Sequence, residues 1–179
     1  MGATGHGRHL AEPGAELPVI RLATEQDLAA IVEIYNASVP ERNATADTEP
    51  VTVVSRCGWF HAHDARHPLW VYQREGIVAG WLSMGMFYGR PAYEVTREVS
   101  AYVAPESRRQ GVGSALLAEA VAKAPSLGLR ALLAFVFAHN KPSAGLFRRH
   151  GFRQWGRLPD IAELDGVART VLILGRHVP

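Results

Sequence analysis

Val99-Ser-Ala-Tyr-Val-Ala-Pro-Glu-Ser-Arg-Arg-Gln-Gly-Val-Gly-Ser-Ala-Leu-Leu117 decides the fold. An apolar run with strand character stops at Pro105, and a short loop carries Arg108 and Arg109. Two glycines, Gly111 and Gly113, then flank Val112, and a helical pattern starts at once. It places Leu116, Leu117, Ala120, Val121 and Ala124 on one side and sets Glu119 to pair with Lys123. A strand, a basic glycine-rich turn and a helix N-terminus make an anion cradle. First-turn N–H groups lack partners, the helix dipole adds roughly half a positive charge, and glycines let phosphate oxygens reach the backbone.

Two familiar phosphate loops do not fit. The Walker pattern ends in Gly-Lys-Ser/Thr, and no lysine stands near Gly113. The dinucleotide fingerprint needs three glycines, and only two lie between Arg108 and Gly113. Arg-x-x-Gly-x-Gly, from Arg108 through Gly111 to Gly113, does fit. It resembles the acetyl-CoA diphosphate loop of the GNAT N-acetyltransferases. The plainer alternative is an ordinary tight strand-to-helix turn.

The rest of the composition agrees with a small enzyme. At 179 residues the chain predicts one domain over residues 18–179, preceded by a flexible tail over 1–17. The net charge of +2 gives no bulk field toward nucleic acid or membrane. The lone Cys57 precludes an intrachain disulfide and fits a reducing cytoplasm. No apolar run approaches the roughly 20 residues of a membrane span.

Read along its length, the chain predicts a strand at Val19–Leu22 and a helix started by Thr24 and Asp27. A polar loop over 41–50 leads to a weaker helix over Val51–His63. Leu69–Gln73 and Ile77–Met86 read as a hairpin about Glu75-Gly76, and Glu94–Val103 as the strand feeding the glycine loop. Ala131–Ala138 reads as a buried strand. Asn140 caps a short helix with Pro142 in its first turn and Gly151 at its end. Phe152–Arg157 and Val167–Leu174 close the order β, α, α, β, β, β, α, β, α, β, β. Such an order implies an α/β single domain with a mixed sheet and helices on both faces.

That order is also the GNAT order, which makes the expected sheet mostly antiparallel. Within the superfamily the chain resembles the phosphinothricin and methionine-sulfoximine N-acetyltransferases over about residues 18–176. The likeness rests on Ile34-Tyr-Asn, Asp47-Thr-Glu-Pro, Arg90-Pro-Ala-Tyr, Thr96-Arg-Glu, Ser100-Ala-Tyr-Val, Asn140-Lys-Pro-Ser and His150-Gly-Phe.

The resemblance implies acetyl-CoA as co-substrate. Its diphosphate would lie on Arg108, Arg109, Gln110, Gly111, Val112, Gly113 and Ser114, with Asn140 and Ser143 nearby. The backbone of Ala101, Tyr102 and Val103 would serve the pantetheine arm and thioester. Glu98 is the candidate catalytic base, because N-acetylation needs a neutral amine and a carboxylate can take the ammonium proton. The alternative is a surface carboxylate paired with Arg97 or Arg90. Arg90 and Tyr93 match the family's substrate-anchoring arginine and tyrosine, suited to an acceptor carboxylate. One position departs: Phe147 stands where the phosphinothricin enzymes carry a histidine, so neither a catalytic histidine nor a proton donor for the CoA thiolate is carried over there.

His61, His63 and His67 with Asp64 do not make a metal site, since His-x-His splays its rings to different sides of a helix. Trp59, Phe60, Trp70 and Trp81 read as core or dimer packing. The sequence thus predicts a cytoplasmic, metal-free acetyltransferase, and the resemblance implies a homodimer. It would move acetyl directly from acetyl-CoA to a small-molecule amine of amino-acid type, with no nucleic-acid or membrane partner. The alternatives are a CoA-binding sensor without turnover, or acetylation of a protein N-terminus or lysine.

Overall fold

The turn after the first described strand is fixed by one buried carboxylate. In the computed structural model, which describes residues 17–179, β1 (Val19–Leu22) carries Arg21. Both Arg21 Nη atoms donate to the Asp27 carboxylate at 2.7 and 2.8 Å, and the Thr24 N–H donates to the same group at 2.7 Å. The Asp27 side chain is only 7% exposed. The Arg21 hydrogen bonds, with help from Thr24, hold its carboxyl down at about 2. A lowered folded pKa means stability present above the unfolded value near 3.8 and lost as pH falls through about 2. Asp27→Asn should therefore cost about 2 kcal/mol at pH 7. The gap between variant and parent in urea melts should close as pH drops from 4 toward 2. The expected tail over residues 1–17 lies outside the described residues, save Leu17.

Helix α1 (Leu28–Ser38) buries Leu28, Ile31, Val32 and Ile34 at helical spacing. Helix α2 (Val53–His61) starts where Thr52 Oγ1 accepts the Ser55 N–H at 3.1 Å, so it is shorter than the Val51–His63 expectation. Strands β2 (Leu69–Arg74) and β3 (Ile77–Met86) turn through Glu75 and Gly76, both at positive φ (51° and 77°), as a tight hairpin requires. Then follow β4 (Thr96–Val103), α3 (Val112–Lys123), β5 (Ala131–Phe137), α4 (Lys141–Arg149), β6 (Arg153–Leu164) and β7 (Val167–His177). Glu119 and Lys123 pair at 3.8 Å on α3.

The sheet runs β1-β2-β3-β4-β5-β7-β6, with β4 and β5 parallel and every other pair antiparallel. Leu82, Met84, Val99 and Leu132 bury one sheet face with Leu116 and Leu117 of α3 and Phe147 of α4. Val71 and Trp81 bury the other with Ile31 and Ile34 of α1. The element order matches the sequence reading. The largest difference is β6, which continues to Leu164 beyond the expected Arg157 and meets β7 at Asp165-Gly166. The pairing slips between Leu158 and Ala162, and Asp160 sits at φ 51°. Pro159 is tolerated because β6 is an edge strand. A bulge of this kind erases the alternation by which a strand is read.

Candidate active site

Two neighbouring strands part in the middle of the sheet. Strand β4 pairs with β3 from Arg97 to Val103, but with β5 only at Thr96, Arg97 and Glu98. Strand β5 meanwhile keeps β7 along all of Ala131–Phe137. Beyond Glu98 the gap opens into a cleft of about 490 Å³, walled by Val99–Val103 on one side and Phe135–Phe137 on the other. The Ala104 N–H donates to Ala79 O at 3.0 Å, so the backbone of Ser100 and Tyr102 also faces β3 by strand alternation. The Val99 N–H belongs to the last rung with β5, so the Val99 C=O and the N–H and C=O groups of Ala101 and Val103 are the ones turned to the gap. Arg108 Nε donating to Val103 O at 3.4 Å agrees with that parity. Tyr102 thus spends its backbone on the ladder with β3, contrary to expectation, and its ring stacks on Trp81 at 4.7 Å. Val99 takes a place that the sequence reading did not give it.

The glycine loop forms the far end of the cleft. Gly111 is the N-cap of α3 at φ 84°, and Arg109 precedes it at φ 59°. The first intrahelical bond runs from the Ala115 N–H to Gly111 O at 2.9 Å, and no side chain caps the helix. The N–H groups of Val112, Gly113 and Ser114 are therefore the helix's open donors. A Cβ on Gly111 would meet no atom within 4 Å, whereas one on Gly113 would lie 3.2 Å from Leu146 Cδ2. Gly113 hence also serves the packing of α3 against α4. Arg108, Arg109, Gly111, Val112, Gly113 and Ser114 all line the cleft, as do Asn140 and Ser143. Asn140 Oδ1 caps α4 through the Ser143 N–H at 3.1 Å, and its Nδ2 donates to Asn43 O at 2.9 Å. Gln110 stays out: its amide donates to Glu106 O at 2.7 Å and accepts from Arg74 at 2.8 Å, bracing the loop. The Arg108 guanidinium pairs with Glu41 at 2.7 Å across the cleft.

Glu98 occupies the last paired rung before the strands part. It is half-buried, and burial alone pushes its carboxyl above the ordinary carboxylate range. The ion pair with Arg97 is not made. Arg97 points to the opposite sheet face, is 1% exposed and donates to the carbonyls of Arg66, Glu94 and Thr96. Opposite Glu98 on β3 stands Gly85, which leaves the carboxylate room on that side.

Arg90 and Tyr93 lie apart from the cleft, on an exposed turn between β3 and β4. Tyr93 packs on Phe87 at 5.6 Å between ring centroids, and Phe87 on Phe135 at 6.5 Å, so an aromatic chain joins that turn to the cleft wall. Phe147 lines the cleft as a buried ring against Phe152. A second cavity, about 180 Å³, lies under α1 and α2 and shares Ser100 and Tyr102 with the cleft. Its wall includes Trp59 and Trp81, expected as packing, Tyr35, expected only as part of the Ile34-Tyr-Asn motif, and Arg56, which the sequence reading did not single out. Arg56 sits 4.7 Å over the Tyr35 ring and 2.8 Å from Asp47. Trp70 is core. His61, His63 and His67 go to three separate partners, Glu25, the Trp59 carbonyl and Asp64. No described helix is long and apolar enough to cross a membrane.

Comparison with known proteins fits this geometry. The model of the Acetyltransferase (GNAT) family matches residues 28–152. YwnH of Bacillus subtilis, provisionally named a phosphinothricin acetyltransferase, is 52% identical over 160 residues, covering 89% of this chain and 98% of that protein. An L-methionine sulfoximine/L-methionine sulfone acetyltransferase of Pseudomonas paraeruginosa is 33% identical over 82% of this chain and 87% of its own. A phosphinothricin acetyltransferase of Sinorhizobium meliloti, solved with acetyl-CoA, superposes with a TM-score of 0.85 at 30% identity, covering 90% of this chain and 88% of that one. With a family model spanning most of the chain and a relative more than half identical to it, this protein belongs to the GNAT family of acetyl-CoA-dependent N-acetyltransferases.

Proposed function

We propose that the chain, through its domain over residues 18–179, acetylates the amine of a small amino-acid-like acceptor with Glu98 as general base. The observation that carries this reading is the position of Glu98 where β4 and β5 part. A thioester running along Val99–Val103 would end beside that carboxylate. An α-ammonium must shed one proton before attack and a second as the amide forms. A carboxylate whose pKa burial has raised is a better base near neutrality than an exposed one. The N–H of Ala101, the first one beyond the paired rungs, would face the oxygen on which negative charge develops. Diphosphate would take the open donors of Val112, Gly113 and Ser114, and Arg108 would exchange Glu41 for phosphate. Phe147 has no proton to give, so the departing thiolate is protonated by solvent. Transfer is direct, through a ternary complex.

The acceptor class follows the relatives named for phosphinothricin, methionine sulfoximine and methionine sulfone. A cytoplasmic homodimer without metal, acting on a small molecule rather than nucleic acid or membrane, completes the proposal. Thiol release from acetyl-CoA, measured over a panel of amino acids, their amides, phosphinothricin and methionine sulfoximine, tests it. No turnover on any amine would leave a CoA-binding sensor. If Arg90 grips the acceptor carboxylate, Arg90→Ala should cut kcat/KM for an amino acid by roughly tenfold or more. The matching amide should lose less than threefold, and equal losses on the pair would exclude acid recognition by Arg90.

A further inference from the structure

His150 closes α4 in front of Gly151, and no step of the proposed transfer uses it. Its Nε2 lies 2.8 Å from Oγ of Ser114, the third residue of α3. Ser114 lines the cleft together with Gly111, Gly113 and Arg149. The residue is held from behind, because Arg176 of β7 donates to the His150 carbonyl. Gly151, at φ 80°, leaves room for that guanidinium, since a Cβ there would stand 2.6 Å from Arg176 Nη1. The charges acting on the ring are Arg149 from α4 and Arg176 from β7, while α3 brings the uncharged Ser114 hydroxyl. An imidazole with two cations beside it thus abuts the open first turn of α3.

We infer that His150 and Ser114 form a proton-linked part of the CoA diphosphate site. Protonated, the ring donates Nε2–H to Ser114 Oγ, which frees the serine hydroxyl proton for a phosphate oxygen. Neutral with its proton on Nδ1, the ring instead accepts that hydroxyl proton, and the phosphate loses a donor. The inference rests on reading the α3 loop as the diphosphate site. Burial, then Arg149 and Arg176, hold the ring below the usual histidine value in the free protein. At pH 7 it is therefore mostly neutral. A bound diphosphate brings negative charge to Ser114 and raises the ring's pKa, so binding takes up a proton. Affinity then falls as pH rises through the bound-state value, by about tenfold for each unit by which binding raises the pKa.

Calorimetric titration with 3′-dephospho-CoA tests this. That probe keeps the diphosphate and lacks the 3′-phosphate, a monoester that itself titrates at about pH 6. Its Kd for the parent protein should rise roughly three- to tenfold between pH 6 and pH 8. Titrations in buffers of different ionisation enthalpy should show net proton uptake near the lower end. His150→Gln should abolish the slope and the uptake, whereas Ser114→Ala, which keeps the ring, should bind more weakly than the parent at pH 6 and have a shallower slope. A flat parent profile, or an unchanged slope in His150→Gln, overturns the inference while leaving the loop as the diphosphate site. Failure of both CoA and 3′-dephospho-CoA to bind at any pH overturns the loop assignment as well.

Discussion

Glu98→Gln lowers kcat by roughly 10²–10⁴-fold while acetyl-CoA binds with unchanged affinity, if the carboxylate takes the proton of the acceptor amine. The amide fills the same space and accepts no proton. The defect should shrink as pH rises toward the acceptor's own pKa, because free amine then arrives already neutral. Stability supplies an independent check with a definite sign. Glu98 has a folded pKa above its ordinary 4.5, so the fold favours its protonated form. Ionisation begins to cost stability as pH rises through 4.5, and the cost is complete above the folded value. Glu98→Gln should therefore melt no lower than the parent at pH 7, with any gain disappearing below pH 4. Slow turnover in a protein that is at least as stable separates lost chemistry from lost fold. A pH-independent effect under twofold would return Glu98 to the role of a strand carboxylate.

The sheet's order was legible because its elements carry local signals. Asn140 caps its helix through its own side chain, and Gly76 at positive φ marks the hairpin turn, whereas the Thr52 cap was not legible and the expected helix begins at Val51. The cleft was legible only in outline. Arg108, Gly111 and Gly113 mark the loop, but which β4 residues turn their backbone to the gap depends on which neighbour takes the alternate groups. That neighbour is β3, from Gly80 to Met86, and it claims Tyr102 and leaves Val99. Nothing in the residues 99–103 themselves encodes that parity. Gln110 sits inside the motif and reads as a ligand, yet Arg74, far away in sequence, holds its amide elsewhere. The second cavity depends likewise on α2 lying over Tyr35 and Trp81, a tertiary juxtaposition with no local signature.

Gly111→Val should weaken CoA binding by roughly 10²-fold or more, and a strain-matched partner shows why the loss belongs to the site. Gly111 lies at φ 84°, where a β-branched residue is a genuine outlier. Valine would rotate the peptide and swing the first-turn N–H groups of α3 away from the cleft. Each hydrogen bond to a charged phosphate contributes about 1.5–3 kcal/mol, so losing even one or two accounts for the expected weakening. The mutant should also be less stable, since that strain costs about 1–3 kcal/mol wherever it occurs. Gly128 gives the comparison: it stands at φ 70°, its Cβ would likewise meet nothing within 4 Å, and it follows α3 at the opposite end from the cleft. Gly128→Val should lower the melting temperature to a similar extent and leave CoA affinity within about twofold of the parent, as a remote and independent site should. Equal losses of affinity in the two variants would trace the effect to general destabilisation. Normal CoA binding by folded Gly111→Val would remove the loop from the cofactor site, and with it the anion cradle that Val99–Leu117 spells out.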